Sequence, residues 1–365
     1  MKNFTFIDLF AGIGGFHVAM HENGGKCVFA SEIDKFARQT YEENFKKISP
    51  EIFKNGCFNI DITDPNFDYV KIPDFDILCA GFPCQPFSHA GLKKGFDDTR
   101  GTLFFSIKEI VKTKIDGNKK NPKISIPKVL LLENVKGFKN HDKGNTFKVI
   151  EQNLKDLGYC VKTEVLNSRH FGVPQNRERI FIVAWYEKLI KVKDFDFPYG
   201  LDKNNGFIFD KNERNTHAKK TNVGDILLSN DDLASLEKEA NKTYTISERL
   251  WAGHQRRKIA HGLKGNGFGY SSFNSNSIYT STISARYYKD GSEILIEQHG
   301  IPNRPDRPRK LHPFEAARLQ GFPLDEWYKI PVSDNQAYKQ FGNSVTVPVI
   351  DSIANEIVRQ LLKDY

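Results

Sequence analysis

A short apolar strand passes into a proline-flanked cysteine in the stretch Asp74-Phe75-Asp76-Ile77-Leu78-Cys79-Ala80-Gly81-Phe82-Pro83-Cys84-Gln85-Pro86-Phe87-Ser88. The apolar run before Gly81 predicts a buried strand. Gly81 permits a sharp turn after that strand, and Pro83 fixes one backbone angle of the turn. Open α/β sheets bind their ligands at the carboxyl ends of parallel strands, which is where this turn would lie. The stretch therefore predicts an α/β fold with Cys84 at a functional position.

Strand-like and helix-like segments alternate around this stretch, from residue 4 to about residue 187. Alternation of this kind predicts a doubly wound, mostly parallel sheet with helices on both faces. The polar stretch Lys112–Lys128 predicts a surface loop between a helix and a strand. The predicted strands are Phe4–Phe10, Lys26–Ser31, Phe75–Ala80, Val129–Glu133, Tyr159–Leu166 and Arg179–Trp185. The predicted helices are Phe16–Glu22, Asp34–Phe45, Leu103–Lys112 and Thr146–Leu157.

The pattern changes after Pro198, where long stretches are polar or rich in Gly, Ser and Asn. We therefore predict a second, smaller and irregular domain at residues 195–305. Proline and arginine alternate in Arg304–Arg309, which predicts a hinge or connecting segment at residues 306–324. Residues 1–190 and 325–365 would form the first domain. Two late helices are predicted, at His312–Gln320 and from Val347 to Leu362.

Composition limits the class of protein. The chain has 365 residues with 53 Lys and Arg against 45 Asp and Glu, a net charge of +8 that suits a polyanionic partner such as nucleic acid. The five cysteines are widely spaced and contain no C-x-x-C pair, so neither a metal site nor a disulfide framework is predicted, and a reducing, cytoplasmic location is expected. No apolar run is long enough to cross a membrane.

Glycines and acids follow the first predicted strands. The turn Asp8-Leu9-Phe10-Ala11-Gly12-Ile13-Gly14-Gly15-Phe16 is of the kind that brings backbone N–H groups close to a ligand, but it is not G-x-G-x-x-G and does not favour a nicotinamide cofactor. Glu32 follows the second strand, a position suited to ribose hydroxyls, and Asp61 ends another probable strand. Taken alone, each acid is better explained as a helix cap or a solvated loop carboxylate.

Glu133 directly follows the buried run Leu130–Leu132, so we expect desolvation to raise the pKa of its carboxyl and to favour a general acid or a hydrogen-bond donor. A carboxylate paired in a salt bridge at the sheet edge is the weaker alternative. Arg177 and Arg179 have period-2 spacing, which predicts that they share a face and bind phosphate or an oxyanion. Surface ion pairing with nearby acids competes with that interpretation.

The order of these blocks resembles that of the bacterial DNA (cytosine-5)-methyltransferases of restriction–modification systems. The resemblance spans essentially the whole chain except the variable region before residue 305. It is carried by Phe6–Phe16, Gly81–Ser88, Glu133-Asn134-Val135, Gln175–Phe181, Arg309–Pro323 and Gly342–Val345.

The resemblance implies a Rossmann-like first domain that binds S-adenosyl-L-methionine and releases S-adenosyl-L-homocysteine. It implies that Phe10 contacts the adenine, that Glu32 binds the ribose, and that Asp61 and Ile62 contact the adenine ring. The family often has an aromatic residue where this chain has Ile33. The further cofactor contacts that we predict are Gly12, Gly14, Pro83, Leu103, Asn343, Ser344 and Val345.

The resemblance also implies the chemistry. The Cys84 thiolate would attack C6 of cytosine, and Glu133 would contact N3 and N4 of the activated ring. Arg177 and Arg179 would position the ring and the adjacent phosphate. The base must first leave the duplex stack. The residues predicted to contact DNA are Gln85, Ser88, Arg256, Arg257, Thr282, Arg286 and Lys289.

The 195–305 region would then recognise a short site in double-stranded DNA, and its glycine-rich segments resemble methylases of CC-N-GG-like sites. A monomer in the bacterial cytoplasm, associated with the nucleoid and paired with a separate restriction endonuclease, is the expected context. A tRNA cytosine-5 methyltransferase shares most of these blocks and stays open as the alternative, as does a binding protein with a decayed site. The long basic segment favours duplex DNA over tRNA.

Overall fold

The computed structural model describes residues 3–54, 56–82, 103–267, 269–302 and 304–363. The chain divides into two compact units. The first contains Met1–Leu166, Glu178–Tyr199 and Val349–Tyr365, and the second contains Asn167–Arg177 and Gly200–Pro348. The predicted Pro83, Cys84, Gln85 and Ser88 lie outside the described residues.

A seven-stranded sheet forms the centre of the first unit. Its strands are β1 (Phe4–Leu9), β2 (Gly25–Ser31), β3 (Phe58–Asn59), β4 (Ile77–Gly81), β5 (Val129–Val135), β6 (Tyr159–Asn167) and β7 (Glu178–Tyr186). They lie in the order β3-β2-β1-β4-β5-β7-β6. Strand β1 is parallel to both β2 and β4, β4 is parallel to β5, and β7 is antiparallel to β5. The predicted doubly wound, mostly parallel fold is confirmed, and all six predicted strands are present.

The helices of this unit also follow the prediction, except that the one beginning at Leu103 is longer than predicted. They are α1 (Gly15–Glu22), α2 (Lys35–Phe45), α3 (Leu103–Lys120), α4 (Asn145–Asp156) and the greater part of α11 (Val347–Gln360). The start of α2 is fixed by the Asp34 carboxylate, which accepts hydrogen bonds of 3.0 Å from two backbone N–H groups of the first turn. Apolar side chains of α3 and α4, among them Phe104 and Ile150, pack with Leu130 of the sheet in one core.

The predicted loop at Lys112–Lys128 is wrong over its first half, because α3 continues to Lys120. Lys112, Lys119 and Lys120 are exposed, whereas Val111 and Ile115 are buried. Lys114 is buried too, and its ammonium group donates to the Ile72 carbonyl at 2.5 Å and to Asp74 at 2.9 Å. Composition alone suggested a loop here, but the helical spacing of the few apolar positions determines the structure.

The second unit is built from short elements. Its helices are α5 (Arg214–His217), α6 (Asn230–Glu239), α7 (Glu248–Leu263), α8 (Tyr287–Asp290), α9 (Pro313–Leu319) and α10 (Asp334–Asn343). Its strands form two small pairs, β8 (Gly200–Leu201) with β9 (Phe207–Ile208) and β10 (Ser272–Phe273) with β11 (Leu295–Ile296). Buried tyrosines join α8 to α10: the rings of Tyr287 and Tyr338 meet edge to face at 5.1 Å.

The bounds of the second unit differ from those of the predicted domains. Residues 325–348 belong to the second unit and do not return to the first, and the predicted hinge at 306–324 is part of its core. Arg309 and Glu315 form a buried bidentate ion pair of 2.7 and 2.8 Å in that segment. Proline and arginine, which suggested a linker, are here held by packing and charge pairing that the local pattern does not reveal.

Candidate active site

The topological switch point of the sheet lies at β1, because the chain builds β2 and β3 on one side of it and β4 and β5 on the other. Ligands of open α/β sheets bind at the carboxyl ends of the strands at such a point. The turn after β1 contains three residues with positive φ: Phe10 at 54°, Gly12 at 56° and Gly14 at 85°. A Cβ atom on Gly14 would lie 2.1 Å from the Phe45 ring, so only glycine fits there.

Glu32 lies at the end of the neighbouring strand β2 and contacts this turn. Its two carboxylate oxygens accept hydrogen bonds of 2.7 Å from the backbone N–H groups of Gly12 and Asp34. Burial raises the pKa of the Glu32 carboxyl, and these backbone hydrogen bonds offset part of the rise. The glycine turn after β1 and Glu32, which follows β2, are thus in direct contact in the structure.

Apolar and polar groups lie side by side at this edge of the sheet. Ile33 is 67% exposed although it is apolar, and Ile60, which the sequence analysis did not select, is 59% exposed. Asp61 accepts hydrogen bonds from the backbone and the hydroxyl of Thr63, at 2.9 and 2.6 Å, and the Ile62 side chain is buried. An acidic acceptor beside exposed apolar side chains fits a ligand that has both hydroxyl groups and a flat ring, such as an adenosine group.

Leu103 begins α3 and is partly buried against the core. Asn343, Ser344 and Val345 follow one another at the end of α10 in the second unit, where the Ser344 hydroxyl donates to the Val345 carbonyl at 3.1 Å. The predicted cofactor contacts of these four residues stay predictions.

Glu133 and Arg179 form a largely buried ion pair in the first unit. Glu133 lies in β5, where its register partners are Gly81 of β4 and Phe181 of β7. The Nε of Arg179, from β7, lies 3.1 Å from a Glu133 carboxylate oxygen, and the two side chains are only 18% and 11% exposed. Burial lowers the pKa of the Arg179 guanidinium, and the Glu133 charge offsets part of this effect. Glu133 is therefore salt-bridged, as the weaker sequence alternative had it, but in the interior of the sheet and not at its edge.

Asn134 is a residue for which the sequence analysis proposed no role. Its side-chain NH₂ group donates a 2.8 Å hydrogen bond to the backbone carbonyl of Phe82, and its side-chain oxygen Oδ1 accepts a 2.8 Å hydrogen bond from the Val135 N–H. Phe82 is the last described residue before the segment that contains Cys84. Asn134 thus holds the chain in place where that segment begins, immediately beside Glu133. Its position directly after Glu133, at the end of the same apolar run, was the signal that could have identified it.

Arg177 does not share the environment of Arg179. It belongs to the second unit and is 2% exposed. Its two terminal nitrogens donate to the backbone carbonyls of Ile283, Gly342 and Ser344, at 3.1, 3.2 and 2.6 Å. Strand β7 begins one residue later, so the assumption of period-2 spacing fails at Arg177. Arg177 therefore does not share a strand face with Arg179, and its predicted phosphate contact stays a prediction.

Several residues predicted to contact DNA are exposed on the second unit. Arg286 and Lys289 are exposed at and just after the start of α8, and Arg256 is exposed on α7. Arg256 and the unpredicted Arg249 line the same shallow groove on α7. Arg257, by contrast, forms hydrogen bonds within the second unit.

The Arg257 guanidinium is 2.8 Å from His254 and 3.2 Å from Asp290. The Thr282 hydroxyl donates to the Asn176 carbonyl at 2.7 Å. These two side chains therefore have structural partners inside the second unit, and any contact with DNA would be additional.

Within the described ranges, no group of His, Cys, Asp and Glu side chains is arranged to hold a metal ion. None of the helices described is both long enough and apolar enough to span a bilayer.

Comparison with known proteins gives a consistent result. A family model described as C-5 cytosine-specific DNA methylase matches residues 4–359. The type II methyltransferase M.SsoII of Shigella sonnei is 50% identical over 360 residues, which are 98% of this chain and 81% of that protein. The type II methyltransferase M.HhaI of Haemophilus parahaemolyticus is 38% identical over 357 residues, 98% of this chain and 95% of that protein. The crystal structure of S. pombe Dnmt2 methyltransferase is similar in fold, with a TM-score of 0.67 at 19% identity and full coverage of both chains.

Proposed function

The chain belongs to the family of C-5 cytosine-specific DNA methylases and is a DNA cytosine-5 methyltransferase, and we propose that Cys84, Glu133 and Arg179 form its catalytic centre. The tRNA alternative is set aside because relatives that are 38–50% identical are named type II methyltransferases or DNA-cytosine methyltransferases. The observation that supports the centre best is the Glu133–Arg179 pair. Within this pair, Glu133 is the register partner of Gly81, the last residue of β4, and Cys84 follows Gly81 by three residues in the sequence.

Each catalytic residue has a distinct role in the proposal. Cytosine C5 is a weak nucleophile, so the ring must be activated, and the Cys84 thiolate does this by adding to C6. Glu133 contacts N3 and the N4 amino group and stabilises the charge that develops on the ring. After C5 has taken the methyl group, its proton leaves, the C5–C6 double bond reforms and the Cys84 thiolate is expelled from C6. Arg179 orients the Glu133 carboxylate through the 3.1 Å contact. Because a stacked base cannot be reached by these groups, the target cytosine is flipped out of the duplex first.

Methyltransferases of this kind generally use S-adenosyl-L-methionine, and the carboxyl ends of β1, β2 and β3 fit it. Glu32 would hold the ribose hydroxyls, while Phe10, Ile33 and Ile60 offer the apolar surface for the adenine. The cofactor supplies an electrophilic methyl group for C5. The Glu32 carboxylate is held by 2.7 Å hydrogen bonds from the N–H groups of Gly12 and Asp34, so its replacement should weaken cofactor binding.

We also propose that the second unit recognises the DNA target. Its exposed Arg286 and Lys289 are the candidates for reading guanine edges. Exchanging residues 195–305 with the matching region of a methylase of different target should transfer specificity. An unchanged target in that chimera would contradict the proposal. We expect the protein to act as a monomer, with one copy acting on one flipped base. We expect its partner to be a separate endonuclease that cuts the same site when it is unmethylated.

The decisive experiment is bisulfite sequencing of plasmid from cells that express the wild type, Cys84→Ala or Cys160→Ala. Cys160 is a half-buried free cysteine of β6 and serves as the matched control. We expect methylation at one short recurring site in the wild type and the control, and none in Cys84→Ala. Turnover retained by Cys84→Ala would eliminate the nucleophile assignment.

The role of Glu133 is tested in single-turnover assays. Glu133→Gln should slow methyl transfer by about 10²–10⁴-fold, the range for a positioned acid–base group. Glu178→Gln is the matched control, because Glu178 is two-fifths exposed and pairs with Lys136. A wild-type rate in Glu133→Gln would remove Glu133 from the mechanism.

A further inference from the structure

The guanidinium of Arg177 joins two distant segments of the second unit. One nitrogen donates to Ile283, in the loop that leads to α8, and the other donates to Gly342 and Ser344, at the end of α10. A planar guanidinium holds several acceptors in fixed directions, which a lysine ammonium does not do. Arg177 therefore sets the distance between the end of α10 and residues 282–290, a loop together with the short helix α8, which we call the recognition loop.

Gly342, at the end of α10, lies directly against the backbone of the recognition loop. A Cβ atom at this position would lie 2.2 Å from the carbonyl carbon of Ser284 and 2.4 Å from the backbone nitrogen of Ala285. Those are backbone atoms and cannot move aside as a flexible side chain would. The recognition loop and the end of α10 are therefore in direct backbone contact, and the Arg177 hydrogen bonds lie across this contact.

Gln175 fixes the other side of the recognition loop. Its side-chain oxygen accepts a 3.1 Å hydrogen bond from the Ile283 N–H, and its amide nitrogen donates to the Leu319 carbonyl at 3.1 Å and to the Gln320 side chain at 3.2 Å. Gln175 and Gln320 are fully buried. Buried polar groups that are satisfied in this way favour one arrangement, because any other leaves them without partners. Ile283 is thus held at both its N–H and its carbonyl group.

The recognition loop then carries its cations outward. The Arg286 N–H donates to the Ser284 hydroxyl at 3.1 Å, and the Arg286 and Lys289 side chains are exposed. Their direction depends on the backbone of the loop, which is held at Ile283.

We propose that Arg177 is a positioning residue for target recognition: it touches no DNA, and it fixes the recognition loop so that exposed side chains such as Arg286 meet the correct base pair. This proposal rests on the proposed role of the second unit. A residue that orients the loop should affect discrimination between sites, whereas a phosphate ligand should affect affinity for all DNA alike.

The test measures binding to two duplexes over a series of salt concentrations. One duplex carries the site found by bisulfite sequencing, and the other differs by one base pair. The variants are Arg177→Met, Arg177→Lys and Ser284→Ala, which loosens the loop without removing a buried charge. Arg304→Met is the matched control, because Arg304 is also nearly buried in the second unit but pairs with Glu237, away from the loop.

We expect the ratio of the affinities for the two duplexes to fall at least tenfold in Arg177→Met and by a smaller factor in Arg177→Lys. The affinity for the altered duplex should stay within twofold of the wild-type value. The salt dependence should not change. If Arg177 instead binds a phosphate, both duplexes weaken equally and the slope of log K against log salt falls by about 0.9, which overturns the proposal. Discrimination that is unchanged, with a loss of melting temperature like that of Arg304→Met, overturns it as well.

Should Arg177→Met fail to fold, Arg177→Lys and Ser284→Ala decide the question, and unchanged discrimination in both overturns the proposal. A wild type that methylates no DNA would contradict the proposed function itself, and this role with it. A wild type that methylates its site, together with variants that discriminate as well as it does, would contradict only the role of Arg177.

Discussion

The Glu133–Arg179 pair should be strongly coupled, and a double-mutant cycle can measure this coupling. The singles are Glu133→Gln and Arg179→Met. Removing one partner of a buried ion pair costs about 3–5 kcal/mol, because the remaining charge is left without compensation. Both side chains keep some exposure, 18% and 11%, so Arg179→Met is expected at the low end, about 3 kcal/mol. A hydrogen bond to a charged group is worth about 1.5–3 kcal/mol, and the double variant should be less destabilised than the sum of the singles by this amount.

A neighbouring pair of the same two strands is the control. Lys136 and Glu178 lie 2.8 Å apart just after β5 and at the start of β7, but they are 59% and 42% exposed. Exposed pairs contribute about 0–1 kcal/mol, so the cycle on Lys136→Met and Glu178→Gln should give a coupling in that range. The two cycles differ in burial far more than in geometry, and their difference therefore isolates the effect of desolvation.

Urea unfolding, followed by the fluorescence of Trp185, is the assay. Trp185 lies in β7 itself, and Trp251 and Trp327 of the second unit would be replaced by Phe in every protein compared. Distant sites are additive within about 0.5 kcal/mol. A Glu133–Arg179 coupling within that limit, or one no larger than that of the surface pair, would refute the conclusion that the sheet interior strengthens this contact.

Three further predictions concern other parts of the chain. Asn134→Ala should slow single-turnover methylation at least tenfold with little change in DNA affinity, because it releases the Phe82 carbonyl; a wild-type rate would exclude that role. Arg249→Gln with Arg256→Gln should lower the slope of log K against log salt by up to about 1.8, at about 0.9 for each phosphate contact, equally for all duplexes; an unchanged slope would show that α7 does not contact phosphates. Burial alone would raise the pKa of the Asp76 carboxyl, but hydrogen bonds from Lys128 and Thr5 hold that pKa below its usual value. Its stabilisation is therefore present above about pH 4 and is lost as pH falls through the lowered pKa. Asp76→Asn should therefore destabilise the protein at pH 7 by about 1.5–3 kcal/mol and progressively less as the pH is lowered below about 4; a difference in urea midpoint that stays constant over this range would contradict this.

The local pattern of the sequence was sufficient where an element is defined by its own residues. An apolar run such as Leu130–Leu132 is typical of a strand buried on both faces, and β5 lies in the interior of the mostly parallel sheet, between β4 and β7. Asp34 begins α2 because its carboxylate satisfies the first backbone N–H groups, an interaction that spans three residues. The prediction for the stretch after Lys112 was wrong because it followed the polar composition and not the helical spacing of the apolar residues Val111 and Ile115.

The sequence by itself therefore determined the α/β class, the order of the strands along the chain and the residue types at their carboxyl ends, since all of these follow from short-range periodicity and turn chemistry. Only the tertiary structure decided how the charged residues are used. Arg177 and Arg179 are two positions apart, yet one guanidinium is surrounded by backbone carbonyls of the second unit and the other pairs with Glu133. The energy of a buried charge depends on the partners that packing brings to it from distant parts of the chain, and no pattern within the local sequence encodes those partners.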